Sequence, residues 1–197
     1  MKDSEITKFL ISFNGRIDFV LFPGGVFDDQ IFLQYDVVWG PDWDPISGLN
    51  SGTSQMAMSG RDPERVVFNF PIEMVFSSTN VFGWPQLIIT VKARNTFGDS
   101  LRGYSAVLLP PMTGERVISA PLTRPRPATL LGEWLAWLTG RYPELADPKM
   151  LANGKENYLL RTESYGSVVV KMSMVSKDLR KLGYDNEPPA CRNNCRQ

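Results

Sequence analysis

The sequence predicts an antiparallel β-sandwich of about nine strands, with one amphipathic helix inserted near residues 129–139. Three observations lead there. Apolar residues recur with period two in many short runs rich in β-branched and aromatic side chains. Gly, Pro, Asn and Asp separate those runs at short intervals. One late stretch alone switches to helical spacing. The chain has 197 residues, 43% of them hydrophobic, enough to bury an ample core in one domain. That domain is placed at residues 8–185. Residues 186–197 are polar, carry two prolines, and read as a disordered tail.

The stretch Val66 to Val91 is the centre of the pattern. Ile72, Met74 and Phe76 alternate with Glu73 and Val75, and Leu87, Ile89 and Val91 alternate with Ile88 and Thr90. Between them, Ser77 to Pro85 supply turn chemistry, so the stretch reads as a central hairpin. Pro71 inside the first arm calls for an edge position or a bulge.

Earlier, Phe9, Ile11 and Phe13, then Ile17, Phe19 and Leu21, read as a hairpin around Phe13-Asn14-Gly15. Ile31 to Trp39 is a strand with Ile31, Leu33, Tyr35, Val37 and Trp39 on one face. Gly40 to Gly52 reads as a long loop, and Ser54 to Met58 as a weaker strand. Tyr104 to Leu109 and Arg116 to Leu122 are strands stopped by proline-rich segments. Leu130, Leu131, Trp134, Leu135, Trp137 and Leu138 then recur at three- and four-residue spacing, with Gly140 as the stop. Such a short helix depends on packing its Leu/Trp stripe onto the sheets. Tyr158 to Tyr165 and Ser167 to Val175 read as a closing hairpin bent at Gly166. Lys177 to Leu182 reads as one helical turn capped by Ser176 and stopped by Gly183.

Composition narrows the chemistry. The formal net charge is zero, with a pI near 6.3, so no field for nucleic acid follows. Residues 1–60 hold 3 basic and 8 acidic side chains, and residues 61–197 hold 18 and 13. There is no histidine, which removes Ser-His-Asp and Cys-His catalysis and imidazole zinc sites. The two cysteines, Cys191 and Cys195, both lie in the tail and suggest no disulfide framework. No apolar run approaches a membrane span, and the start MKDSEITKF lacks a signal-peptide layout, so a cytoplasmic protein is expected.

Candidate sites each carry a plain alternative. Asp28, Asp29, Asp42 and Asp44 lie in or beside two early loops, with Asp36 nearby and Asp99 as a further candidate. Loop carboxylates of this kind can hold calcium, but their spacing matches no closed motif and Asp is an ordinary turn former. Lys171, Lys177, Arg180 and Lys181, with Arg161, suit an anionic headgroup, or are simply a solvated face. Trp43, Trp84 and Phe82 fall in predicted loops. They are either partner anchors or plugs for the end of the core. No two carboxylates are placed together, Glu133 and Glu144 included, and no nucleophile elbow, phosphate loop or dinucleotide fingerprint occurs. No catalytic residue and no cofactor is therefore assigned.

Several blocks carry a family resemblance. Asn69-Phe70-Pro71-Ile72, Phe76-Ser77-Ser78-Thr79-Asn80 and Gly83-Trp84-Pro85-Gln86 are the centre of it. Gly40-Pro41-Asp42-Trp43, Arg102-Gly103-Tyr104, Gly140-Arg141-Tyr142-Pro143-Glu144, Asp147-Pro148-Lys149 and Lys177 to Tyr184 follow in the same colinear order. Together they resemble the B-nine domain proteins of the ciliary transition zone, over roughly residues 8 to 185.

The resemblance implies a divergent C-two-type β-sandwich. It implies a non-enzymatic component of the Meckel-syndrome, or tectonic-like, complex, located at the transition zone near the basal body. That complex supports cilium assembly and, in vertebrates, Hedgehog signalling, and controls entry of membrane proteins into the cilium. The implied partners are the two other B-nine paralogues and the larger complex. The calcium-binding aspartate pattern of C-two domains has no clear match here. A second reading of the same residues is a calcium-independent peripheral lipid-binding module.

Overall fold

A computed structural model of the chain describes residues 7–26, 30–95, 98–127, 129, 131–132, 134–135, 142–152 and 161–186. Nine strands run in chain order: β1 (Phe9–Leu21), β2 (Gln30–Val38), β3 (Trp43–Gly48), β4 (Ser51–Thr53), β5 (Arg65–Ser78), β6 (Gln86–Asn95), β7 (Gly98–Leu108), β8 (Gly114–Pro125) and β9 (Thr162–Lys177). All pairings are antiparallel, in the order β3-β5-β1-β9-β8-β7-β6-β2-β4. The sheet folds over at β7–β8, where Tyr104↔Thr123 is the only register pair. Two layers result, β3-β5-β1-β9-β8 and β7-β6-β2-β4, facing each other across one core.

The core is filled by the inward half of each alternating run. Ile11, Phe13 and Ile17 of β1, Ile72, Met74 and Phe76 of β5, and Val170, Met172 and Met174 of β9 are buried. From the other layer come Ile31, Leu33, Tyr35 and Val37 of β2 and Leu87, Ile89 and Val91 of β6. Rings meet across the layers, with Tyr35 and Phe70 at 5.8 Å and Phe13 and Trp84 at 6.1 Å between centroids.

Three expected hairpins are absent. β1 is one strand, and Asn14 and Gly15 are paired on both sides, to Glu73 and Ile72 of β5 and to Ser173 and Met172 of β9. Gly15 serves close approach rather than a turn, because a Cβ there would lie 2.2 Å from the Lys171 carbonyl oxygen. A register shift between Ile17 and Phe19 then turns Val20 inward. β9 likewise continues as one strand through Gly166, with a register shift against β8 at Tyr165, and a Cβ on Gly166 would lie 2.1 Å from the Leu21 carbonyl oxygen. Residues 158–160 of that expected hairpin lie outside the described residues.

The expected central hairpin is an arch. β5 lies between β3 and β1, while β6 lies between β7 and β2 in the opposite layer. The turn residues 79–85 therefore cross from one layer to the other. Pro71 does sit at a locally bare edge, since β3 covers only Met74 to Ser78 of β5.

The expected loop 40–52 contains β3 and the start of β4, and Ser54–Met58 contributes only an isolated Ile31↔Ala57 bridge. The turn after β9 is a 3-10 turn at Arg180–Leu182, stopped by Gly183 at φ 88° as expected, but Leu179 rather than Ser176 is its N-cap.

Within the insertion between β8 and β9, Leu131, Gly132, Trp134 and Leu135 are helical. Leu131, Trp134 and Leu135 are exposed rather than packed on the sheet. The segment 142–152 instead packs on the layer of β7, β6 and β2. Leu145 donates its amide to the Tyr104 hydroxyl at 2.9 Å, and Lys92–Glu144 (3.1 Å) and Lys149–Asp36 (3.4 Å) pair at its flanks. Leu130, Glu133, Trp137, Leu138 and Gly140 of the expected helix, and residues 187–197 of the tail with Cys191 and Cys195, lie outside the described residues.

Candidate partner-binding site

The aromatic loop residues converge at the end of the sandwich where the arch crosses. The arch is held shut by its own polar residues. Asn80 donates from its side-chain amide to Asp42 Oδ2 at 2.7 Å and accepts the Phe82 amide at 2.9 Å. The Ser78 hydroxyl lies 2.9 Å from the Asp42 carbonyl and 2.7 Å from that of Asn80. Gly40 donates its amide to the Gly83 carbonyl at 2.8 Å. Gly83 adopts φ 66°, and a Cβ on it would lie 2.5 Å from Gly40 Cα, so both the conformation and the contact demand glycine.

Trp43 is 2% exposed. Its ring stands edge-on to Phe9 at 5.6 Å, Trp84 at 5.1 Å and Phe76 at 6.2 Å, and its indole N–H donates to the Phe82 carbonyl at 2.6 Å. Trp84 is half-buried and donates to the Leu109 carbonyl at 2.9 Å. Of the two readings open for these indoles, the geometry favours the plug, since both N–H groups and most of both rings are used internally. Phe82 differs. Its backbone is fixed by Asn80 and Trp43 while its ring is 84% exposed, more than any other large apolar side chain among the described residues. An exposed ring on a fixed backbone suits a partner anchor, because little backbone ordering is left to oppose binding.

Lys177, Arg180 and Lys181 lie together at the end of β9 and the turn after it, while Lys171 and Arg161 stand apart from them. Lys171 faces outward from the middle of β9 and pairs with the buried Asp18 carboxylate at 2.8 Å, with Arg16 at 3.9 Å. Lys177 lies six residues further along the strand, about 20 Å away. Lys181 is paired with Asp178 at 2.7 Å, and Arg180 belongs to the same 3-10 turn. Arg161 stands at the other end of β9, separated from Lys177 by roughly 50 Å of strand.

The acidic candidates are also divided. Asp42 caps the arch through Asn80, and Asp44 pairs with Lys8 at 2.8 Å. Asp99 sits at the opposite end of the sandwich, in β7, paired across the ladder with Arg94 of β6. Asp28 and Asp29 lie outside the described residues. Among the described residues no group of three or more carboxylates or thiols could hold a metal ion. Asp36 is engaged with Lys149.

Two tyrosine hydroxyls face restricted surroundings. Burial pushes Tyr35 above the usual phenol value. Burial also raises Tyr104, the amide of Leu145 opposes this, and the Glu144 charge adds to it. Both tyrosines border a cleft of about 470 Å³ beside residues 144–148, lined with Asp36, Lys92 and Thr90.

Sequence reasoning missed the exposed apolar side chains Ile46, Leu49, Met56 and Met58. The signal was there as a run with no charged residue from Pro45 to Gly60, but reading 40–52 as loop gave it no surface to belong to.

Fold and loops together define a β-sandwich protein with a closed, aromatic-plugged end. The family model named B9-C2, described as "Ciliary basal body-associated, B9 protein", matches residues 11–175. The human B9 domain-containing protein 1 is 39% identical over 190 residues, covering 95% of this chain and 92% of that protein. The Xenopus laevis B9 domain-containing protein 2 is 26% identical over 162 residues, covering 80% and 89%. A solved C2 domain superposes at a TM-score of 0.34 with 12% identity, covering 85% of this chain and 96% of that one. The chain belongs to the ciliary basal body-associated B9 family.

Proposed function

We propose that this chain is a non-enzymatic scaffold component of the ciliary transition zone that works by binding other B9 domain proteins. Its place is on the cytoplasmic side, at the basal body and transition zone, within the Meckel-syndrome, or tectonic-like, complex. There it contributes to cilium assembly and to the barrier that controls entry of membrane proteins. The observation that carries this reading is the family match, which runs through the sandwich from residue 11 to residue 175 rather than over one motif. A fixed sandwich with an exposed Phe82 and an exposed apolar edge suits docking, since an interface is built from rigid apolar anchors within a polar rim.

The test is co-expression with the two other B9 domain proteins, followed by size-exclusion chromatography with mass determination. A stoichiometric co-eluting complex is the expected result. Elution of this chain by itself at micromolar concentration, with both other proteins present and folded, would refute the reading.

A further inference from the structure

The outermost strands of the sheet, β3 and β4, belong to one short segment. β3 pairs with the upper half of β5, through Trp43↔Ser78 to Gly48↔Met74. Two residues later β4 pairs with β2, through Asp36↔Ser51 to Gln34↔Thr53. The segment then steps back, as the Gln55 side-chain amide donates to the Phe68 carbonyl of β5 at 2.8 Å. It returns once more to β2, where Ala57 exchanges both backbone hydrogen bonds with Ile31 at 2.7 and 2.8 Å. The segment thus laces the open seam between the two layers.

This seam lacks the usual protection of an edge. Natural sheets guard exposed edges with charge, yet the residues from Pro45 to Gly60 carry none. Apolar side chains stand out along it, with Ile46 57%, Leu49 72%, Met56 45% and Met58 53% exposed. Methionine suits an adaptable contact because its unbranched chain moulds to the partner.

The backbone adds a direction. Val37 donates to the Asn50 carbonyl and Ser54 donates to the Leu33 carbonyl, each at 2.8 Å. In an antiparallel ladder that alternation turns the amides and carbonyls of Ser51 and Thr53 away from β2. An extended chain satisfies such a row in full.

We propose that the seam formed by residues 45–60 is the docking surface for another B9 sandwich, which adds an extended, uncharged edge strand along β4 and packs apolar side chains on Leu49 and Met56. This rests on the reading that the chain binds B9 domain proteins. The absence of charge on one side selects an uncharged partner surface, because a charge brought against it loses its water without gaining a counter-ion.

The experiment compares the wild-type chain, the double variant Leu49→Glu/Met56→Glu and the control Val117→Glu, at an exposed position of β8 outside the seam, each mixed with the other two B9 domain proteins. Both mutated seam side chains are exposed, so folding is retained, as a thermal melt checks. Binding of the double variant is expected to weaken by at least about tenfold. Hydrogen exchange is expected to show the Ser51 and Thr53 amides protected in the wild-type complex alone. Unchanged affinity of the double variant, with those amides still exchanging, would overturn the seam while leaving the partner reading intact. Failure of the wild-type chain to bind either protein would remove both. A homodimer of this chain broken by the same double variant would overturn the choice of occupant.

Discussion

Replacing Trp43 with alanine tests the plug at the closed end of the sandwich. The side chain is 2% exposed and is wedged between Phe9, Phe76 and Trp84. Truncating a large buried aromatic costs about 3–5 kcal/mol, as lost transfer energy plus the cavity left behind. Three edge-on ring pairs are lost with it, each worth roughly 0.5–1.5 kcal/mol beyond burial, so the upper half of that range is expected. For a domain of this length the change lowers the melting temperature by about 8–20 °C, at 2–4 °C per kcal/mol. Trp43→Phe should retain most of the packing and lose the indole hydrogen bond to Phe82, at a cost of about 1–2 kcal/mol. Phe82→Ala, at an exposed tip, should stay within about 0.5 kcal/mol. Urea titration of the three variants at constant m-value reads these differences directly. A Trp43→Ala cost below about 1 kcal/mol, or a Phe82→Ala cost equal to it, would refute the division of this loop cluster into a buried plug and a free ring.

Gly15→Ala should destabilise by at least about 1–3 kcal/mol, because the new methyl meets the Lys171 backbone carbonyl rather than a flexible side chain; chemical denaturation measures it. Stability should fall with alkali. Tyr104 has its pKa raised in the folded state, so its contribution is complete below the unfolded value of 10.0 and is lost as pH rises from there through the folded value. Melting curves between pH 8 and pH 11 should show a decline above about pH 10, and Tyr104→Phe should reduce it, leaving the part due to Tyr35, which burial also raises.

The division between legible and illegible features follows from what period two encodes. Alternation identifies strands and their buried faces, and Ile31, Leu33, Tyr35 and Val37 of β2 were readable for that reason. It does not encode whether a glycine inside an alternating run turns the chain or lets two backbones approach. Gly15 and Gly166 do the latter, and only the positions of Lys171 and Leu21, distant in sequence, reveal it. The same holds for the arch at 79–85, since a turn and a layer crossing use the same Ser, Asn and Gly chemistry. The site followed the same rule. The residue types at Trp43, Trp84 and Phe82 were visible, but which ring points inward depends on Phe9, Phe76 and Leu109 brought in from other strands. The lateral spread of Lys171, Lys177 and Arg161 was hidden because a hairpin at Gly166 would have folded Arg161 back beside Lys171, whereas a continuous β9 separates them.

The strand order has a consequence for biosynthesis. β9 is the last of the nine strands to leave the ribosome, yet its place is in the interior of the sheet, between β1 and β8. Until residues 162–177 emerge, β1 and β8 each keep a full-length bare flank. The nascent chain therefore waits with two apolar, strand-ready edges exposed, the form most prone to pair with a neighbouring polypeptide. Closure by such a sequence-distant strand is slow, since the long loop must be ordered before any pairing rewards it. A stop codon anywhere before residue 162 thus deletes the middle of the sheet rather than trimming an end. Its product is a target for chaperones and proteases, not a shortened but working domain.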